Sequence, residues 1–301
     1  MSQILHFLKH VAIKVGLFLR ANWAYILWGA FHCFLAFFAL KAYTGDSKAA
    51  IELTFLIYGI SIGFAISPLG EFVMRSLERA RPVETRQDKD YLMPLFDEVY
   101  QEAKAKTPSL NKRIKLYISE EKNINASAIG RKTVVITRGA MTNLSPEELK
   151  GVIAHELGHM ASGDTTARLI VVVGNGFFSV VVLICKTMMI ISEIIIALMS
   201  KRYILTLIVS FFVNLLFHYT VAAFLFLGNI ILAMNSRYRE FLADDYAYEI
   251  NFGEELKDAL YQINTLNMGG KRKLKEILKA SHPHTTARIA KLERKLESGE
   301  E

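Results

Sequence analysis

At 301 residues, with 52% apolar side chains and a mean hydropathy of +0.26, the chain is too apolar for an ordinary soluble protein, and membrane spans are expected. Its 36 Lys and Arg against 29 Asp and Glu leave a net +7, which suits juxtamembrane segments facing an anionic leaflet and implies no nucleic acid. Cys33 and Cys185 both lie in apolar segments, which speaks against a disulfide framework or a thiolate metal site.

Residues 1 to 20 set Ile4, Leu5, Leu8, Val11 and Val15 against Lys9, Lys14 and Arg20, the pattern of an amphipathic helix at a membrane surface. From Ala21 to Leu40 follows an apolar segment of bilayer-crossing length, with Trp23 and Trp28 toward its start. A cleaved signal peptide is the rival reading, weakened by the long basic leader and by Lys41 where a small residue should stand. His32 reads as a residue facing other helices. After the polar link Lys41 to Lys48, a second apolar run extends from Ile51 to Val73 and ends in Arg75, Arg79, Arg81 and Arg86. Basic residues thus flank the pair of spans on one side, which the positive-inside rule assigns to the cytoplasm.

The segment Asp88 to Lys106 carries Tyr91, Leu92, Leu95, Phe96, Val99, Tyr100 and Ala103 at helical spacing. Three short candidate strands follow, Arg113 to Ile118, Ile124 to Ile129 and Thr133 to Thr137. An exposed edge of so small a sheet is either purely structural or a place where an extended peptide adds as a further strand.

The stretch from Ser145 to Asp164 has the strongest chemical signal. Ser145 is placed as an N-cap, Pro146 suits the first helical position, and Glu148 completes a capping box. On the predicted helix, Leu149, Val152, Ile153, Leu157 and Met160 form an apolar face, while His155 and His159, four apart, project together from another. That is the H-E-x-x-H pattern, in which two imidazoles bind one zinc ion and Glu156 reaches a water as general base. So short a pattern also arises by accident, and a third ligand is what strengthens it. Asp164 either braces the site or ends the helix.

Beyond Asp164 the chain turns apolar from Ala167 to Met199, with Lys186 and Glu193 inside, and again from Tyr203 to Met234. Asn214 and His218 read as interhelical polar contacts. A second helical segment then places Glu240 and Asp244 four apart on one face. Glu240 is the candidate third zinc ligand, and Asp244 a carboxylate to receive the other ring N–H of a ligating histidine. Because His159 and Glu240 must meet at one ion, the intervening chain crosses the membrane an even number of times, and two crossings fit. The tail from Asn251 is helical in pattern, with Leu256, Leu260 and Ile263 on one face and a basic run, Lys271 to Lys275.

Taken together, His155-Glu156-Leu157-Gly158-His159, Arg239-Glu240-Phe241-Leu242-Ala243-Asp244, Asn125-Ala126-Ser127-Ala128-Ile129-Gly130 and Ser281-His282-Pro283 followed by Arg288 resemble the HtpX-type membrane zinc metalloproteases, gluzincins related to the CAAX prenyl endopeptidases. Ser127 stands where that family usually has an aromatic residue. The resemblance implies that Asn125, Ala126, Ser127 and Ala128 hold substrate as an edge strand, and that His282 and Arg288 face the cleft and hold the substrate or its oxyanion. It also implies proteolysis of misfolded or damaged membrane proteins, a quality-control role in a bacterial inner membrane with the active site on the cytoplasmic face.

The expected fold is α+β, mostly helical with a small β-sheet and about four transmembrane helices. Residues 1–74 would form the amphipathic segment and two spans, 75–165 a cytoplasmic part with sheet and zinc helix, 166–234 a transmembrane hairpin, and 235–301 a helical part carrying the third ligand. The expected site comprises one Zn2+ on His155, His159 and Glu240, Glu156 as base, and Asp244 behind the ligands, with polypeptide substrates and the lipid bilayer as partners. A CAAX-type processing enzyme and a non-catalytic zinc-stabilised scaffold are the alternatives, the second weakened by Glu156, since a structural site has no use for a base beside the metal.

Overall fold

A computed structural model describes residues 2–199, 203–268 and 285–298. In chain order its elements are α1 (Ser2–Thr44), α2 (Ser47–Ile66), α3 (Pro68–Leu77), β1 (Ala80–Pro82), α4 (Arg86–Lys106), β2 (Lys115–Ser119), β3 (Ala126–Ile129), β4 (Thr133–Thr137), α5 (Arg138–Asn143), α6 (Pro146–Ser162), α7 (Asp164–Met199), α8 (Tyr203–Met234), α9 (Ser236–Glu249), α10 (Gly253–Met268) and α11 (Thr285–Ser298). They divide into two compact units, one of Met1–Ile26, Phe64–Leu169 and Asn235–Glu301, the other of Leu27–Gly63 and Ile170–Met234.

The second unit consists of long apolar helices. Among the described residues Phe18–Thr44, Ser47–Ile66 and Leu207–Glu249 are long and apolar enough to cross a membrane, and α7, 36 residues with Lys186 and Glu193 inside it, is the fourth long helix. Trp28 packs 4.7 Å from Phe224, and His32 lies against both rings, as a polar residue facing neighbouring helices should. Asn214 of α8 donates to Glu193 of α7 at 2.6 Å, so the one acid in that stretch of α7 is matched by a polar group from the adjoining helix.

Two expectations change here. The amphipathic leader and the first span are one continuous helix of 43 residues. The apolar run read as a single span to Val73 breaks at Ser67-Pro68. Proline disfavours helical backbone in the residue before it, and Ser67 is extended (φ −76°, ψ 164°), its hydroxyl accepting from the N–H groups of Leu69 and Gly70 to start α3.

The first unit holds a four-stranded sheet of order β1-β2-β4-β3, with β2 and β4 parallel and the outer pairs antiparallel. The strands are shorter than expected at β2 and β3, and β1 and α5 were not anticipated. Alternation along the strands gives the sheet two different faces. Leu116, Ile118, Ala126, Val134 and Ile136 form one, in a common core with Leu92, Phe96 and Val99 of α4 and Leu149, Ile153 and Leu157 of α6. Lys115, Tyr117, Ser119, Ser127, Thr133, Val135 and Thr137 lie on the other, which α3 covers. Glu71 accepts from the Thr133 hydroxyl and the Arg131 N–H at 3.0 Å each, and the Arg75 guanidinium sits 4.8 Å over the Tyr117 ring.

α6 packs against α4, α9 and α10. Two of its glycines permit this: a Cβ on Gly151 would lie 2.2 Å from the Leu256 backbone nitrogen, and one on Gly158 3.0 Å from the Ala243 backbone. The second contact presses α9, with Glu240 and Asp244, onto the turn of α6 that carries the histidines.

Candidate metal centre and its cleft

Helix α6 begins as the sequence expects. The Ser145 hydroxyl accepts from the Glu148 N–H at 3.2 Å, and the Glu148 carboxylate accepts from the Ser145 N–H at 2.6 Å. It ends at Gly163, whose φ of 77° lets the chain turn directly into α7. This turn carries Asp164 back onto α6, so the residue both opens the next helix and reaches His159.

Each imidazole is oriented by a carboxylate. Asp164 Oδ2 lies 2.8 Å from His159 Nδ1, and Asp244 Oδ1 lies 2.9 Å from His155 Nδ1. A carboxylate only accepts, so both rings carry their proton on Nδ1 and present Nε2 as a lone pair. The two Nε2 atoms are 3.1 Å apart, and the Glu240 carboxylate oxygens lie 3.5 and 3.6 Å from them. Lone pairs and a carboxylate brought this close repel unless a cation sits among them. Ligand bonds of about 2.0 to 2.2 Å in a tetrahedron give ligand separations of roughly 3.3 to 3.6 Å; two of the three separations match and the Nε2 pair is slightly closer, so small shifts would let the three donors hold one metal ion, and all their ligand atoms lie within 4.8 Å of one another. His155, His159 and Glu240 are 3%, 8% and 5% exposed, enough cover to keep the donors from being hydrated individually.

Burial and Arg288 press the His155 pKa down, yet the bonds to Asp244 and Glu240 prevail and the ring sits above its ordinary range. His159 is raised in the same way, Asp164 outweighing burial. The site attracts positive charge at both nitrogens.

Arg288 reaches this centre from α11 and is 4% exposed. Its Nε and Nη2 bind the two Asp244 oxygens at 2.8 and 2.6 Å, and Nη1 lies 2.9 Å from Glu240 Oε2. Nη2 is 3.2 and 3.4 Å from the two nitrogens of His155, which places it over the ring and not on a lone pair. Burial lowers the Arg288 pKa, but Asp244 and Glu240 more than reverse this, so the guanidinium is firmly charged. The resemblance implies an oxyanion donor; in the structure these donors are directed at Asp244 and Glu240. His282, the other residue expected there, lies outside the described residues.

A cleft of about 200 Å³ opens beside the donors. Glu156, His159 and Glu240 line it together with Asn125, Ala126, Ser127 and Ala128, so the helix and the β3 segment share one space. Arg239, stacked 4.3 Å over the Tyr25 ring, forms another wall. β3 is an edge strand, and its hydrogen-bonding phase is set by the residue just before it. Thr137 N–H donates to the Asn125 carbonyl at 3.0 Å and Asn125 N–H donates to Thr137 Oγ1 at 3.0 Å, so Asn125 faces β4. Antiparallel pairs alternate, so Ser127 and Ile129 also face β4, while Ala126 and Ala128 turn their N–H and C=O groups to the open edge.

The family model described as peptidase family M48 matches residues 86–296. The chain belongs to peptidase family M48. It is accordingly a metalloprotease, and its long apolar helices make it a membrane protein. Among curated relatives, Protease HtpX of Alcanivorax borkumensis is 24% identical over 94% of this chain and 99% of its own length. A protease HtpX homolog of Bacillus pumilus is 27% identical over 84% of this chain and 89% of its own. A homolog from Dictyoglomus turgidum is 28% identical, but the match takes in only 53% of that protein and 52% of this one. Among solved structures, S. mikatae Ste24p overlaps 96% of this chain and 65% of its own at 17% identity and a TM-score of 0.47, too loosely to transfer any residue.

Among the cleft-lining residues that sequence reasoning missed is a carboxylate. Glu78, just past the end of α3, lines it, and its Oε2 accepts from the Ser127 hydroxyl at 2.5 Å. Burial pushes this carboxyl above the usual carboxylate range, and nearby Glu156 and Glu121 add to the shift against the opposing Ser127 and Arg168.

Proposed function

We propose that the chain is a zinc endopeptidase of membrane proteins, with zinc on His155, His159 and Glu240 and Glu156 as general base. The observation that carries this is the convergence of two imidazole lone pairs, each fixed by a carboxylate at 2.8 or 2.9 Å, on the Glu240 carboxylate beside Glu156. When bound, zinc supplies Lewis acidity toward a water molecule and the peptide carbonyl. Glu156, lining the cleft one residue from His155, takes the water's proton and returns it to the leaving nitrogen. Asp164 and Asp244 hold the imidazoles in the ligating tautomer, and Arg288 positions Asp244 and Glu240.

The open edge of β3 takes up substrate as an added strand, through the outward N–H and C=O groups of Ala126 and Ala128. Such pairing is independent of substrate sequence and suits misfolded or damaged membrane proteins, whose removal is quality control. Residues 75–165 and 235–301 form the catalytic part, facing the cytoplasm of a bacterial inner membrane. The positive-inside pattern supports that placement.

The test is proteolysis of an unfolded membrane protein by the purified chain, with and without chelator. Glu156→Gln is expected to keep wild-type zinc content and lose hydrolysis, by about a thousand-fold or more if the base acts alone. Full activity in Glu156→Gln, or in chelator, would reject the mechanism.

A further inference from the structure

The peptidase reading leaves Glu78 without a role, although the structure positions it with care. It comes directly after α3, where Glu78 N–H bonds the Met74 carbonyl at 3.0 Å, and the next residue, Arg79, is left-handed at φ 51°, reversing the chain into β1. A non-glycine residue in that region is strained, and the sheet holds it in place, because Ser119 Oγ donates to the Glu78 carbonyl at 3.0 Å. The side chain then reaches over β3 to the Ser127 hydroxyl at 2.5 Å. Among the described residues no Lys or Arg lies within ion-pair distance of Glu78, and its Oε1 accepts no hydrogen bond. Arg168 is near enough to be felt but makes no ion pair with it. A half-buried carboxylate at a helix C-terminus, where the helix dipole is also negative, makes a cleft wall that favours a cation.

The sheet geometry says which substrate atom meets that wall. Residues directly opposite one another on neighbouring strands put their side chains on the same face. Ser127 points to the face covered by α3, and Ala126 and Ala128 to the face packed on α6. A peptide paired with the open edge of β3 therefore delivers the side chain of the residue opposite Ser127 to Glu78, and its neighbours on either side toward α6.

We infer that Glu78, held by Ser127, is a specificity determinant that selects a lysine or arginine side chain at the substrate position opposite Ser127. The inference rests on β3 being the substrate-pairing edge. The cation comes from a side chain and not from a peptide α-amino group, because the pairing brings side chains to this wall.

The probes are extended neutral peptides, N-acetylated and C-amidated, in which one residue at a time is Lys, Gln or Glu. Cleavage by the zinc-loaded wild type gives kcat/KM for each, and binding of the same labelled peptides to Glu156→Gln gives affinities without turnover. One peptide position is expected to show a Lys-to-Glu ratio of about tenfold or more in both measurements. Glu78→Gln should bring that ratio close to one, and Glu78→Lys should invert it. Each ratio is taken within a single variant, so a change in the amount of folded protein cancels. A ratio near one at every position in the wild type, or a Lys preference that survives both substitutions, would overturn the inference. A free amino terminus that competes as well as the lysine side chain would overturn the side-chain assignment. If no peptide were cleaved while the binding ratio and its dependence on Glu78 held, the specificity assignment would stand and the peptidase reading would fall.

Discussion

Removing the carboxylates behind the two histidines should separate metal affinity from fold, because Asp164 and Asp244 do different work. Asp164 holds His159 Nδ1 at 2.8 Å. Asp164→Asn keeps an acceptor oxygen and loses only the charge, so zinc binding should weaken by about tenfold; Asp164→Ala loses the anchor as well, for about a hundredfold, or ~2.7 kcal/mol. Asp244 carries the His155 Nδ1 contact at 2.9 Å and also both Arg288 bonds, at 2.6 and 2.8 Å. Asp244→Asn therefore leaves a buried guanidinium with Glu240 as its remaining charged partner in the centre, and breaking a buried pair costs about 3 to 5 kcal/mol. Glu240, drawn toward Arg288, is also less available to metal. Zinc affinity should fall further than in Asp164→Ala, and the metal-free protein should melt earlier, whereas Asp164→Asn should melt near the wild type. Adding Arg288→Met to Asp244→Asn removes the stranded charge and should recover metal-free stability but not affinity. Competition with a chromophoric chelator gives the affinities, and thermal unfolding in EDTA gives the stabilities. Wild-type zinc affinity in Asp164→Ala, or wild-type metal-free stability in Asp244→Asn, would refute the division of roles.

Ala128→Pro deletes an N–H that faces the open edge, and Ser127→Pro one that faces β4. The first should cut proteolysis about tenfold with zinc content unchanged, and the second should destabilise the protein; wild-type rates in folded Ala128→Pro would remove β3 from substrate binding. Sidedness can be read with single cysteines in a background lacking Cys33 and Cys185: an impermeant thiol reagent outside intact cells should label position 47 and spare position 112, both exposed in the structure. Ser119 is 2% exposed and would be spared on either side of the membrane, so it is unsuitable as the probe. Arg138 donates to both Asp88 oxygens, at 2.6 and 3.2 Å, and holds that carboxyl below its usual range. Because the folded pKa is the lower one, the pair stabilises the fold above about pH 4 and its contribution fades as pH falls through the folded value. Asp88→Asn should lower the melting temperature at neutral pH and flatten its decline in acid, and an unchanged acid profile would contradict the assignment.

How much the sequence made legible depends on how local each signal is. The capping box of α6, the pairing of His155 with His159 and the pairing of Glu240 with Asp244 all lie within a few residues, where helical period alone fixes the geometry. The meeting of the two helices needed no further information than the chemistry of a shared ligand set. Asp164 stayed ambiguous because bracing and helix termination are compatible: Gly163 supplies the left-handed turn that lets one residue do both. The contacts of Arg288 could not be read from the sequence, because they join α11 to Asp244 and Glu240, 44 and 48 positions away, and no local pattern says which way a guanidinium turns.

Glu78 was lost for another reason. The stretch from Ile51 to Val73 is apolar enough to read as one span, and under that reading the residues after Val73 are only its basic flank. The Ser67-Pro68 pair was the available signal, a helix stop and a helix start in consecutive residues. Taken as a break, it leaves Glu71, Arg75 and Glu78 at positions i, i+4 and i+7, a polar stripe that a lipid-facing segment would not carry and a helix lying across a sheet would. In the structure that stripe does meet the sheet: Glu71 at Thr133, Arg75 over Tyr117 and Glu78 at Ser127. The partner of Ser127 thus comes from a residue 49 positions away, and only the break at Ser67 brings it to the cleft. The hydroxyl of Ser127 is what that carboxylate meets, so Ser127 and the unanticipated Glu78 are two sides of one local arrangement.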